Sequence, residues 1–343
     1  MAEQVRAFGP GRVNLIGEHT DYNGGLALPF AISAGVIVTA TALREPRVEA
    51  QALDIGEEDR FPLDAPRSGD GWRDFVRGAV GELRSAGVEL SGARLEITGD
   101  VPQGAGLSSS AALEVALVLA LLGLSGDEPP ERRELAKLCS RIENDWVGAN
   151  TGLLDQLAAL YGARGQALRI DFATLDVRQV PLELGDYTLV TLDSGQRHSH
   201  ATSGYNERRR ECAAACEELG VASLSEADAD AAAALPEPLN RRVRHVLTEN
   251  ERVNETVAAL ARGDLDAVGA LLDASHASLR DLYEVSTAAV EATVARLKDA
   301  GALGARIVGG GFGGHVLALM APGAQAPEGA LEVRPGDGGH LLG

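Results

Sequence analysis

Lysine is almost missing from this 343-residue chain: Lys137 and Lys298 are the only two. A phosphate loop of the Gly-Lys-Ser/Thr type is therefore excluded, because neither lysine follows a glycine loop. The lysine that protein kinases carry on a β-strand is missing as well. Any phosphate chemistry must use backbone amides, hydroxyls, arginine and a divalent cation. Positive charge is short overall, with 31 Lys and Arg against 50 Asp and Glu and a formal net charge of −19. That balance argues against a nucleic-acid or anionic-membrane partner, since such surfaces need basic patches. Aromatic residues make up 4% of a chain that is 45% hydrophobic, so its cores must be built from Ala, Leu, Val and Ile. The cysteines, Cys139, Cys212 and Cys216, are too few and too oddly placed for a disulfide framework. Reduced thiols in a cytoplasmic protein are expected. No apolar run reaches membrane-spanning length; residues 111–124 come closest, but the run is short and contains Glu114. The opening segment MAEQVRAFGPGRVN lacks the basic and apolar regions of a signal peptide, which again leads us to expect a cytoplasmic location.

What is present points to two lobes. The length exceeds the usual single core, and we expect a boundary near 162–168, giving an N-terminal lobe over 1–165 and a C-terminal lobe over 166–343. Residues 35–42 (GVIVTATA), 94–98, 167–172, 187–192 and 315–321 have strand character. Helices are expected over 70–86, 110–122, 131–146, 150–160 and 205–220, with a long helical stretch over 239–300. The Ala/Asp-rich segment 224–235 reads as a weakly ordered connector or a polar-faced helix. Elements of both types alternate, which predicts an α+β architecture.

Residues 99–113 (GDVPQGAGLSSSAAL) join an alternating strand to a strong helix. Gly104 and Gly106 let a ligand approach closely. Ser108, Ser109 and Ser110 stand where the helix begins, with unpaired N–H groups and the positive end of the dipole. This is an anion site suited to a di- or triphosphate; a plain capped turn is the alternative. Residues 11–28 (GRVNLIGEHTDYNGGLAL) crowd Arg12, Glu18, His19 and Asp21 into one loop. Such a cluster can read sugar hydroxyls, or it is simply a solvated loop.

GRVNLIGEHTDYNGG resembles the signature of the galactokinase family within the GHMP kinase superfamily. In order along the chain, GDVPQGAGLSSSAALE resembles the superfamily's ATP-binding motif, and RIENDWVGANTGLLDQ the segment ending in a catalytic Asp-Gln. SGYNERRREC resembles the segment with a sugar-contacting tyrosine, and GARIVGGGFGGHVLAL the glycine-rich third motif. The resemblance implies a two-lobed fold with a phosphate loop in the N-terminal lobe and a ferredoxin-like C-terminal lobe. It also implies transfer of the γ-phosphoryl group of ATP to the anomeric hydroxyl of D-galactose, with Mg²⁺ as cofactor. Its partners would be galactose and ATP, with no nucleic acid and no membrane, and a monomer is expected. Alternatives are a kinase for N-acetylgalactosamine or arabinose, and a non-catalytic galactose sensor; the intact Ser-Ala stretch over 108–112 speaks against the sensor.

By the same resemblance, Asp155 faces the anomeric hydroxyl and Arg12 steadies the transferring phosphoryl group. Arg12, Glu18, His19, Asp21, Gly152, Asp155 and Tyr205 would bind the sugar. Gly104, Ala105, Gly106, Leu107, Ser108, Ser109 and Ser110 would surround the nucleotide phosphates, with Trp72 near the adenine, and Ser110 and Glu143 would hold the metal. Read without the family, Asp155 could cap the next helix and Glu143 lie on a solvated face. Tyr205 could be a core-edge aromatic, Trp72 a packing anchor, and residues 309–314 a plain flexible loop. His198, His200 and His276 read as surface or polar groups of no assigned role. The sequence departs from the family at Asp100, Leu154, Gly310 and His315, and its C-terminal region is short enough to lose a helix.

Overall fold

The computed structural model describes residues 3–101, 106–149, 151–196 and 201–343, with 201–203 described by backbone alone. Strands β1 (Gln4–Asn14) and β3 (Pro29–Leu43) pair antiparallel as the spine of the first sheet, and a bulge falls between Pro10 and Arg12. Between them the chain forms a loop and the short β2 (Leu26–Ala27). The sheet continues with β4 (Arg47–Ala52), β5 (Glu57–Pro62) and β6 (Gly92–Gly99), with β4 parallel to β6. Helices α1 (Trp72–Ser85), α2 (Ser109–Ser125), α3 (Arg132–Arg141) and α4 (Leu154–Tyr161) share a hydrophobic core with it. The last strand of the chain, labelled β13 below (His340–Leu342), returns to pair with β1.

The scarcity of aromatics shows in how α2 meets this sheet. The helix is apolar on nearly every side, which suits a helix buried all round. It lies almost backbone to backbone on β1: a Cβ at Gly9 would stand 2.0 Å from the Ala112 carbonyl oxygen. Small residues thus bring α2 down onto the strand that carries Arg12.

A second body follows. Strands β7 (Gln166–Asp171) and β8 (Asp176–Pro181) pair with β2 in a three-stranded sheet. β9 (Thr188–Asp193) joins β10 (Ala302–Ile307), β11 (His315–Met320) and β12 (Leu331–Glu332) in the order β10-β11-β9-β12. Helices α5 (Ala201–Leu219), α6 (Ala229–Ala233), α7 (Leu239–Ala261), α8 (Leu265–Asp281) and α9 (Ala288–Asp299) complete it. The expected helical stretch over 239–300 is three helices. Gly263 and the Asp264 cap start α8, and the Thr287 cap starts α9. The segment 224–235 holds a 3₁₀ turn and the short α6. No helix lies between β11 and β12, as the short C-terminal region suggested.

A separate cluster joins the two bodies, packing Val13, Leu15, Leu28 and Phe30 against Val253, Val268 and Leu317. Among the described residues no helix is long and apolar enough to cross a membrane, and the three cysteines are free. His276 is not a surface group: it is buried, accepts from the Ile307 N–H at 3.3 Å and meets Glu291 at 3.0 Å. His198 and His200 lie outside the described residues.

Candidate active site

The bulge in β1 falls just before Arg12, whose guanidinium reaches across to α4 and to the loop before α2. Its Nε donates to Asp155 Oδ1 at 2.7 Å and its Nη1 to the Gly106 carbonyl at 2.6 Å. The other Asp155 oxygen accepts from the Ser108 hydroxyl. Asp155 does not cap α4. It sits inside the first turn, where a carboxylate suits the helix dipole, and its side chain points at Arg12 and Ser108. Ser108 has a left-handed backbone (φ 56°), and α2 begins at the next residue.

Glu143 lies in a π-helical turn that continues α3, over Ile142–Val147. Such turns are rare and often mark functional positions. Its carboxylate is buried rather than solvated. Oε1 accepts from Ser110 Oγ at 2.9 Å; Oε2 accepts from Thr151 Oγ1 at 2.7 Å and Gln156 Nε2 at 2.9 Å.

The loop between β1 and β2 is tightly held. Asn23 Nδ2 donates to the His19 carbonyl at 2.7 Å, and Thr20 Oγ1 lies within reach of the Gly17 and Leu26 carbonyls. His19 adopts φ 61°, a strained value for a residue with a side chain. It is neutral: burial first, then the positive fields of His245, Arg208 and Arg306, lowers its pKa to about 3. Its Nδ1 meets the Tyr22 hydroxyl at 2.8 Å. Glu18 accepts the Gly309 N–H at 2.8 Å and pairs with Arg306 at 3.0 Å, so the glycine-rich segment is a wall tied to this loop. Burial, then the charges of Asp155 and Glu18, raises Asp21 to about 6. Gly152 lies close to Asp21: a Cβ there would stand 2.0 Å from Asp21 Oδ2, so a side chain would displace that carboxylate.

Arg12, Glu18, His19, Asp21, Gly152, Asp155 and Tyr205 all line one pocket of about 320 Å³, closed on one side by Gly309, Gly310 and Gly311. The Tyr205 ring lies 5.6 Å from the His19 ring. A second pocket of about 440 Å³ is lined by Trp72, Phe75, Asp54, Ile55, Leu113, Ser109 and Ser110. Trp72 is thus a pocket wall, and its Nε1 donates to Glu57 at 2.9 Å. The start of α2 lies between the two pockets. Gly106 anchors Arg12, and the Leu107 carbonyl accepts the Arg12 N–H at 3.0 Å. Gly104 and Ala105 lie outside the described residues. Sequence reasoning assigned no role to Thr151, Glu114 or Arg306, and met Gln156 only as part of the Asp-Gln that ends the third resembling segment. The lone carboxylate in an apolar helix was the one visible signal for Glu114. At the family departure Asp100, the carboxylate accepts the Gly35 N–H at 2.7 Å and pins the strand end beneath the loop.

Comparison with known proteins identifies the chain's relatives. Residues 2–42 match the galactokinase galactose-binding signature, 74–163 the GHMP kinases N terminal domain and 256–335 the GHMP kinases C terminal family. The chain is 46% identical over 332 residues to a galactokinase of Mycobacterium tuberculosis H37Rv, covering 95% of this chain and 91% of that one. It is 39% identical over 321 residues to a galactokinase of Thermotoga neapolitana, covering 93% and 90%. The crystal structure of Lactococcus lactis galactokinase complexed with galactose superposes with a TM-score of 0.92 at 35% identity, covering 99% of this chain and 95% of that one. Mevalonate kinase of Methanococcus jannaschii shares the fold, with a TM-score of 0.71 at 17% identity. With near-complete coverage at this identity, the chain belongs to the galactokinase family of GHMP kinases.

Proposed function

We propose that this ATP-dependent sugar kinase transfers the γ-phosphoryl group of ATP to the anomeric hydroxyl of D-galactose, giving galactose 1-phosphate and ADP. The observation that carries this reading is Asp155, held between Arg12 and Ser108 where a polar pocket meets the start of α2. In this reading galactose fills the pocket of Glu18, His19, Asp21, Gly152 and Tyr205. The relative solved with galactose supports that choice. ATP places its base beside Trp72 and its phosphates over the amides of Gly106, Leu107, Ser108, Ser109 and Ser110. Asp155 orients the anomeric hydroxyl and accepts its proton late. Arg12 faces the phosphoryl group in transit, and it is already aligned by two hydrogen bonds. ADP release measured across galactose, glucose, talose, arabinose and N-acetylgalactosamine tests the assignment. Turnover confined to N-acetylgalactosamine would overturn it.

The donors at Ser110 and Glu143 fit magnesium. A hydroxyl and a carboxylate oxygen, 2.9 Å apart, are hard ligands that leave the remaining positions to water and phosphate. Mg²⁺ held there would neutralise charge on the transferred phosphoryl group. Ser110→Ala is expected to raise the KM for magnesium-ATP with little change in galactose affinity, measured by initial rates and calorimetry. We also assign the chain to the cytoplasm, consistent with its free cysteines, and expect it to act as a monomer.

Asp21 gives the site a pH response. Sugar hydroxyls that donate to its carboxylate favour the ionised form, so galactose affinity should rise as pH passes upward through about 6. The same shift acts oppositely on folding: its contribution is present below about pH 4 and lost as pH rises through about 6. Calorimetric titration of galactose from about pH 5 to about pH 7.5 checks the first effect, and Asp21→Asn should flatten the profile.

A further inference from the structure

Glu114 stands in the middle of α2 with no exposed surface, among twelve buried positions of that helix. A buried carboxylate is costly unless something is gained by keeping it. Its Oε2 accepts one N–H of the Gln156 amide at 3.0 Å. The same Nε2 reaches Glu143 Oε2 at 2.9 Å. An amide nitrogen carries two hydrogens, and here each has its own carboxylate. Gln156 is also fully buried and directly follows Asp155 on α4.

This arrangement fixes the rotation of Glu143. With Oε2 held by Gln156 and Thr151, Oε1 is left facing Ser110. Gln156 keeps its amide in the donating orientation because Glu114 accepts from its second hydrogen. Without that acceptor the amide could turn over, and its carbonyl would oppose the Glu143 oxygen. An alkyl side chain at 114 would fill the space without holding the amide.

We propose that Glu114 is a positioning residue which, through the Gln156 amide, aims the Glu143 carboxylate at the cation site beside Ser110. The proposal rests on the reading that Ser110 and Glu143 hold the divalent cation. Burial, and then the negative charge of Glu143, pushes the Glu114 carboxyl well above its ordinary range.

The test compares Glu114→Met, Glu114→Gln, Gln156→Met and Glu143→Gln by the Mg²⁺ dependence of turnover. It also measures calorimetric binding of ADP with Mg²⁺ and, separately, of galactose. Glu114→Met should raise the Mg²⁺ half-saturation and the Kd of ADP with Mg²⁺ by about 10- to 100-fold, the range for residues behind a metal ligand, with galactose affinity unchanged. Glu114→Gln should restore most of the loss, because its carbonyl accepts the same N–H. If Glu114→Met does not fold, Gln156→Met breaks the same contact from the other side and should show the same split. Unchanged Mg²⁺ dependence in the methionine variants, with a clear change in Glu143→Gln, would overturn the positioning role while leaving the cation reading intact. Equal losses of galactose and ADP affinity would also overturn it, since general packing would then be the explanation. No Mg²⁺ effect in Glu143→Gln would remove the cation reading, and the proposal with it.

Discussion

Asp155→Asn is expected to lower kcat by about 10²- to 10⁴-fold, the usual span for a positioned proton acceptor, while galactose binding and the fold persist. The asparagine carbonyl can still accept from Arg12 Nε, which lies 2.7 Å from Asp155 Oδ1. The pocket also keeps Glu18, His19, Asp21 and Tyr205. On the proposed assignment, what is lost is the charge that orients the hydroxyl and takes its proton. Phosphoryl transfer depends more on alignment and charge neutralisation than on covalent help, so residual turnover from the α2 start and Arg12 should remain measurable. ADP-release rates together with calorimetric galactose affinity check the split. Near-normal kcat in a folded variant would refute the role.

Arg306→Met is expected to cause the largest loss of stability, about 3–5 kcal/mol, the usual result of leaving one partner of a buried ion pair alone. Arg306 is fully buried on β10. It donates to the Asn14 and Leu15 carbonyls at 2.8 and 3.1 Å and pairs with Glu18 at 3.0 Å. Methionine fills much of the volume but leaves two carbonyls and a buried carboxylate without this partner. The lower denaturant midpoint should come with weaker galactose binding, because Glu18 lines the pocket. Adding Glu18→Gln to Arg306→Met should recover part of the loss, since it removes the carboxylate that Arg306→Met leaves without its counter-charge. A loss below about 1 kcal/mol would mean that the pair does not tie the loop to β10.

These two variants also mark the limits of reading the sequence. The start of α2 was legible because a glycine-serine turn before an apolar helix is a local pattern, whereas Asp155 was singled out only by the resemblance of RIENDWVGANTGLLDQ, its local pattern reading equally as a helix cap. Arg306 was not legible. Its partner carbonyl on Asn14 is 292 residues away, and nothing in the local pattern of β10 marks one arginine as buried. The strand β5 was missed because four of its six positions are charged (EEDRFP) and it shows no alternation. Residues 322–343 are rich in Gly and Pro, yet β13 completes the first sheet against β1, a pairing set by tertiary contact rather than by strand propensity. Glu143 read as a solvated helix position because the π-helical turn that turns it inward has no local sequence signature.

The most direct test of the whole account is a crystal structure of the chain with galactose, Mg²⁺ and a non-hydrolysable ATP analogue. The account predicts the anomeric hydroxyl within hydrogen-bond distance of Asp155, with the terminal phosphate beside Arg12 and over the first turn of α2. Galactose bound with its anomeric oxygen turned away from Asp155, or phosphates seated elsewhere than the start of α2, would contradict it.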